Sequence, residues 1–319
     1  VDSQFEAYRR QYEDTILHLY ELEEPYLVGT GIPVDTDITG QTKVYSRIGK
    51  LTAQDKTGRN EIANLTEPTF TARHLRVATK YVASPIDKED LEKMVGNPKD
   101  DIYRETVNAI REAQAQIAMA GFFDTVITGE AGGSTSSFAA GNQIAVNFST
   151  GPFGQNSGAS NVGLNIDKLM QVRNLLNQSG DVRVNTSDMT SLNIAVSEED
   201  VQQLLASKVG TDNYPLIERF NSLQSNLGSA AENMIDGRFK WFGFTFHVLP
   251  QTYFNLDGSG YRRIPVWIKD GMVYGMKQNV ATEIVSLPNT VESIKVQALT
   301  RGGTLRKHDS KVYEIKVTA

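Results

Sequence analysis

The chain has 319 residues, 39% hydrophobic and 22% charged, which excludes wholesale disorder and leaves room for more than one hydrophobic core. A formal net charge of −6 excludes a protein whose main task is gripping DNA phosphates, since that needs a basic face. Cysteine is absent, which excludes disulfides, thiolate metal sites and cysteine nucleophiles and fits folding in a reducing cytoplasm. The first residues, Val1 to Glu13, are polar and charged rather than a secretory signal. No apolar run approaches the roughly 20 residues of a membrane helix, so no membrane partner is expected.

Residues 4–24 have helical spacing, with Phe5, Tyr8, Tyr12, Ile16 and Leu19 three or four apart, and Pro25 ends the segment. Periodicity marks a face to be buried without saying whether the same subunit or a neighbour buries it. Both readings stay open. Alternation then appears in Thr42–Ile48 and again in Thr69–Ala78, on either side of a polar stretch from Gln54 to Asn60. Two β-like arms with a polar tip predict a long hairpin. Its Lys43, Arg47, Lys50, Lys56, Arg59, Arg73 and Arg76 make it basic, and an isolated two-stranded hairpin is marginal in water. These seven residues are therefore the candidates for contact with a second subunit.

A short helix over Asp87–Val95 is predicted, opened by Ser84-Pro85. Asn97-Pro98 then starts a long helix that ends near Gly121, with Tyr103, Val107, Ile110, Ala113 and Ile117 as its apolar stripe. Its alanines suit close approach by a neighbouring element. Residues 129–163 are rich in Gly, Ser and Asn, with one strand predicted over Gln143–Phe148. A helix over 166–177 follows, then a buried strand, Leu192–Val196. Ser197 and Asp200 resemble a capping box opening helix 198–207, and residues 213–235 read as partly helical. Strands are predicted over Trp241–Leu249, Ile264–Ile268, Val280–Ser286, Val291–Leu299 and Val312–Val317. The fold class is α+β.

Catalytic patterns are missing. There is no phosphate loop, no third glycine after Gly29-Thr30-Gly31, and no H-E-x-x-H or G-x-S-x-G. Asp35-Thr36-Asp37 begins like a calcium loop, but Thr39 and Ser46 stand where ligands are required, so an acidic turn before a strand is the better reading. The four histidines lie in four separate segments, none with a second ligand at metal spacing. No cofactor is expected. Glu23-Glu24 and Glu198-Glu199-Asp200 suit helix N-termini or solvated faces better than acid–base work. The basic hairpin carries too few aromatics for a single-strand binder, so protein contact is preferred over nucleic acid.

The order of parts is informative: N-terminal segment, basic hairpin, short helix, long alanine-bearing helix, mixed α/β region, late strands. Ala113-Gln114-Ala115-Gln116-Ile117-Ala118 runs into Asp124-Thr125-Val126-Ile127-Thr128-Gly129, and later come Asp236–Phe244, Val266-Trp267-Ile268 and Gln278–Ile284. In that order these stretches resemble the HK97-fold major capsid proteins of tailed bacteriophages, with the N-terminal part closest to those of short-tailed phages. The resemblance implies an N-arm over 1–32 and an extended hairpin (E-loop) over 33–84. It implies a short helix, spine helix and P-domain segment over 85–165, an A-domain region over 166–260, and closing strands over 261–319.

It also implies a shell subunit without catalytic activity that assembles as hexamers and pentamers in the host cytoplasm and resides in the virion. Portal and scaffolding proteins and non-specifically contacted double-stranded DNA are the implied partners, with a decoration protein left open. Some relatives cross-link subunits through a hairpin lysine. Lys43, Lys50 and Lys56 match by location only, and no partner Asn can be placed. The alternatives are an encapsulin-like compartment shell, or a virion enzyme or sugar-binding protein with a scattered site.

Overall fold

The structure is a computed structural model, described for residues 27–49, 51, 53–55, 58, 65–87, 98–148, 161–179, 192–206, 238–286 and 293–318. Three sheets organise these residues. The predicted N-terminal helix, the short helix after Asp87 and the partly helical region 213–235 lie outside them. Among the described residues, no helix is long and apolar enough to cross a membrane.

The central sheet is built on one long antiparallel pair, β12 (Met272–Ser286) and β13 (Ser293–Arg306). Strand β13 alternates along much of its length, burying Val296, Ala298 and Thr300 on one side. Strand β4 (Ala78–Asp87) pairs with the far edge of β13, and β1 (Val34–Asp35) runs parallel to β12. The sequence placed Ser84-Pro85 at the opening of a short helix over Asp87–Val95. Instead β4 runs through Pro85, which edge strands tolerate.

Helix α1 (Pro98–Ala120) lies on this sheet, ending at Gly121 as the sequence predicts. Its buried face is rotated from the predicted stripe. Thr106, Ile110, Gln114, Ala115, Ala118 and Met119 are buried, whereas Tyr103 is 40% exposed and Val107, Ala113 and Ile117 are half-buried. The reason is chemical. Gln114 Nε2 donates to Thr300 Oγ1 at 2.8 Å, and Thr106 Oγ1 donates to Ile102 O at 2.6 Å, so both polar groups are satisfied indoors. Gly121 lets the helix end press on the sheet, since a Cβ there would lie 2.3 Å from Thr304 Cβ.

The second sheet has six strands in the order β7-β14-β11-β8-β10-β9. These are β7 (Gln143–Ile144), β14 (Val312–Val317), β11 (Arg262–Ile268), β8 (Leu192–Val196), β10 (Phe244–Val248) and β9 (Arg238–Trp241). All five residues of β8 are buried, as expected of an apolar run with partners on both edges. Helices α2 (Ile166–Ser179) and α3 (Glu198–Ala206) cover the sheet with Leu169, Val172, Leu176, Val201 and Leu204. The capping box is present. Ser197 N donates to Asp200 Oδ2 at 2.9 Å, and Asp200 N returns a bond to Ser197 Oγ at 3.3 Å. Buried Arg262 donates to Asp200 Oδ1 at 2.9 Å and to Ser197 Oγ at 2.8 Å.

Trp267 joins the sheets. It packs on Phe122 at 4.6 Å between ring centroids, and its Nε1 donates to Gly31 O at 3.0 Å. His247 stacks on its other side at 5.8 Å, with Nε2 donating to Asn193 Oδ1 at 3.1 Å.

The third sheet, β2-β3-β5-β6, contains the predicted hairpin: β2 (Thr42–Ile48) and β3 (Phe70–Arg76) pair from Thr42↔Arg76 to Ile48↔Phe70. Strand β5 (Val126–Thr128) adds to β3 and β6 (Ser134–Ser136) adds to β5. At Val77 the chain leaves this sheet and enters the central one as β4. Gly303 makes room for that crossing.

A Cβ at Gly303 would lie 2.0 Å from Arg76 O, whereas at Gly141 nothing lies within 4 Å. Gly303→Ala should therefore destabilise the subunit by about 2–3 kcal/mol in urea denaturation, and Gly141→Ala should stay within about 0.5 kcal/mol. Burial, with Arg238 adding repulsion, pushes the His247 pKa down to about 4 from 6.5. Between those values the unfolded chain takes up a proton that the folded chain refuses. Its contribution is complete above pH 6.5 and is lost as pH falls through about 4. Denaturation of the unassembled subunit should lose about 3 kcal/mol to this group between pH 7 and 4, and His247→Gln should flatten the slope.

Candidate assembly surface

The hairpin has two unlike faces, fixed by its register. Lys43, Tyr45 and Arg47 stand opposite Leu75, Arg73 and Thr71 on one face, and Val44, Ser46 and Ile48 stand opposite His74, Ala72 and Phe70 on the other.

The first face rests on its own subunit. Leu75 is fully buried with Ile38, Val126, Val273 and Leu305. Lys43 Nζ donates to Asp35 Oδ1 at 2.9 Å and to Asp37 O at 2.7 Å, and the Tyr45 hydroxyl donates to Asp35 Oδ2. The hydrogen bonds from Lys43 and Tyr45 hold the Asp35 carboxyl below its usual pKa. The acidic turn that fails as a calcium loop is thus an anchor for the hairpin. Arg47 Nε donates to Thr71 Oγ1 at 3.2 Å.

Arg73 is only 5% exposed. Its Nη1 donates to Arg306 O at 2.6 Å and to Asp309 Oδ1 at 3.0 Å, and its Nη2 pairs with Asp309 Oδ2. Arg306 Nε donates to the same carboxylate at 2.6 Å and Arg306 Nη1 to Phe122 O at 2.7 Å. Burial alone would raise the Asp309 pKa, but the two guanidiniums override it and hold the carboxyl below its ordinary value. Nearby, burial and the charges of Lys311, Arg47, Lys307 and Arg73 push His308 down to about 4, which keeps its ring neutral at pH 7.

These contacts place the basic residues within the subunit. Arg73 and Lys43 are engaged inside their own subunit, because strand alternation sends them to the face where Asp309 and Asp35 wait. Arg47 is half-buried on that face. Arg76 lies on the outward face and is exposed. Lys50, Lys56 and Arg59 lie outside the described residues.

The outward face also carries exposed apolar residues, interleaved with Thr42, Ser46 and Arg76. Val44 is 48% exposed, Ile48 62% and Phe70 68%, with Ile48 and Phe70 directly paired across the strands. Toward the tip Leu51 and Leu65 are also exposed, and Gln54 Nε2 still bridges to Thr66 Oγ1 at 3.0 Å. Alternation in Thr42–Ile48 could have revealed this, since Val44 and Ile48 share a parity that excludes Lys43 and Arg47. Among the described residues, no three His, Asp or Glu side chains are placed to hold a metal.

A profile described as phage capsid protein matches residues 5–319. The chain belongs to the phage capsid protein family. Its function is that of a head-shell protein, a structural component of the virion. No curated protein matches the sequence. The fold is that of HK97-like capsid proteins. It is similar to the capsid of Ralstonia phage GP4 at a TM-score of 0.72 and 11% identity, covering 98% of this chain and 95% of that one. It is similar to the capsid of cyanophage Pam1 at 0.68 and 14%, covering 98% and 96%. It also matches a chain of Mycobacterium phage Che8 at 0.64 and 11%, covering 96% of each.

Reversing the charge at the two neighbouring arginines of β3 should give opposite results. Arg73→Glu places a carboxylate against Asp309 and leaves Arg306 half-compensated, costing about 3–5 kcal/mol, so little folded subunit should be recovered. Arg76→Glu changes an exposed charge and should leave circular dichroism and the melting temperature within error of wild type.

Proposed function

We propose that this capsid protein assembles with its own copies, as pentamers and hexamers, into a closed icosahedral shell around double-stranded phage DNA, the outward face of each hairpin lying on a neighbour. The observation that carries this is the exposed row Val44, Ile48 and Phe70 on an element whose other face is already used at home. A contiguous apolar strip standing off a subunit marks an interaction surface. Each contact is small, but closure under symmetry lets many small contacts add.

In this reading residues 1–32 form an arm, 33–84 the extended hairpin with its root, and the two larger sheets the body of the shell wall. The work is mechanical, with no chemical turnover. Portal and scaffolding proteins meet the assembled rings, and a chain of net charge −6 touches packaged DNA without gripping it. The absence of cysteine suits assembly in the host cytoplasm.

The test is Ile48→Ser with Phe70→Ser. Both side chains are exposed in the subunit, so circular dichroism and melting temperature should match wild type. Each lost side chain removes about 1.5–3 kcal/mol of burial from every repeated contact, so particles should disappear from electron micrographs. Normal shells from the double variant would overturn the assignment of this face.

A further inference from the structure

Cations gather where the hairpin leaves the body of the subunit. Asp309 is bonded beneath the cross-strand pair Tyr45–Arg73, and Arg47 stands in the next pair of the same face toward the tip. Lys307 and Lys311 flank Asp309, two residues away on either side. The Lys307 ammonium lies 5.6 Å from the centre of the Tyr45 ring, so this loop stands against the hairpin's inner face. Lys311, Arg47, Lys307 and Arg73 all act on one point, the half-buried ring of His308.

The carboxylates at this junction are already engaged. Asp309 serves Arg73 and Arg306 together, and Asp35 and Asp37 serve Lys43. Among the described residues, Arg47, Lys307 and Lys311 pair with no carboxylate, and only Nε of Arg47 bonds within the hairpin. Like charges therefore crowd the junction, Arg47 from the hairpin and two lysines from the body. A carboxylate brings one charge and two oxygens, too few for three cations from two bodies. A phosphate group brings about two charges and at least three acceptor oxygens, enough for a guanidinium fork and two ammoniums. We propose that this junction binds a phosphate group between Arg47 of the hairpin and Lys307 and Lys311 of the loop joining β13 to β14. The bound group turns a repulsive junction into an attractive one, and so fixes the angle at which the hairpin leaves its subunit. Free phosphate and the backbone of DNA share this chemistry. The inference goes beyond the proposed function and does not depend on the apolar row.

The test titrates the full-length unassembled subunit with inorganic phosphate at pH 7.5, with chloride holding the ionic strength constant. Saturable binding should appear in phosphorus NMR at millimolar phosphate, and the His308 ring signal, identified with His308→Gln, should shift along the same curve. Arg47→Gln with Lys307→Gln and Lys311→Gln should weaken binding about tenfold or more, with circular dichroism confirming a folded subunit. Lys311→Gln alone should weaken it severalfold. Lys240→Gln, which removes an exposed cation on β9, should leave it unchanged. A short double-stranded oligonucleotide separates the sources: displacement of bound phosphate assigns the site to DNA backbone, and no displacement assigns it to the free ion. Absence of saturable binding would overturn the proposal, as would binding indifferent to Arg47, Lys307 and Lys311. A glutamate-rich peptide that moves the His308 signal as strongly as phosphate would overturn the phosphate class. The readout needs no shell, so a failure here leaves the hairpin reading standing.

Discussion

One carboxylate, that of Asp309, sets the relation between the parts of this capsid protein. It accepts from Arg73 of the hairpin and from Arg306 at the end of β13, while Arg306 also donates to Phe122 O and Asp124 O just beyond the long helix. The backbone carbonyl of Asp309 in turn accepts from Asn142 Nδ2, beside the six-stranded sheet. Hairpin, helix end and both large sheets therefore meet around one half-buried acid. Desolvating two guanidiniums is expensive, and one carboxylate cannot neutralise both. Backbone carbonyls accept from both arginines, and the Phe138 ring lies 5.0 Å from the Arg306 guanidinium. Such an arrangement contributes little net stability relative to an apolar core, but it admits one geometry, and a shell protein needs its projecting element held at one angle.

The same logic recurs at other buried polar groups of this fold. Lys168 is fully buried, yet its ammonium donates to the carbonyls of Val162, Gly163 and Lys316 at 2.8–3.0 Å. Arg262 is tied to the capping box of α3, and Arg263 forms a two-pronged bond with buried Glu314 at 2.7 and 3.0 Å. The first two join a helix to a strand distant in sequence, and the third ties two neighbouring strands of the six-stranded sheet. Apolar packing supplies the gross driving force, and these polar joints choose among the packings it would allow.

That division explains what the amino-acid order reveals and what it hides. Element type follows from local pattern. The long helix with its end at Gly121, the run Leu192–Val196, the Ser197–Asp200 box and the paired arms of the hairpin were all legible because each depends on residues within a few positions. What failed depends on polar partners that the local hydrophobic pattern does not show. Gln114 and Thr106 were passed over as polar, so the helix stripe was drawn one step around; their burial is acceptable because Thr300 and Ile102 O stand ready. Arg73 looked like a surface charge because its acid lies 236 residues away. The acidic pair Asp35 and Asp37 had no evident role until Lys43 and Tyr45 were folded over it. The overall architecture was reached through the order of parts, which is a pattern of the whole chain rather than of any segment.

The crossing at Val77 has a consequence for the nascent chain. Strand β4 finds its partner in residues 293–302, β1 in residues 274–275, and Arg73 in residues 306–309. Almost the whole polypeptide must leave the ribosome before the first third can be completed, and contacts so remote in sequence are slow to close. The outward row of Val44, Ile48 and Phe70 is therefore presented in its final posture only by a finished subunit. Polysomes translating this message carry many incomplete chains at high local density, the setting in which sticky edges do most harm. By routing the root of the hairpin through residues 293–309, the chain sets the posture of that exposed row late in its synthesis.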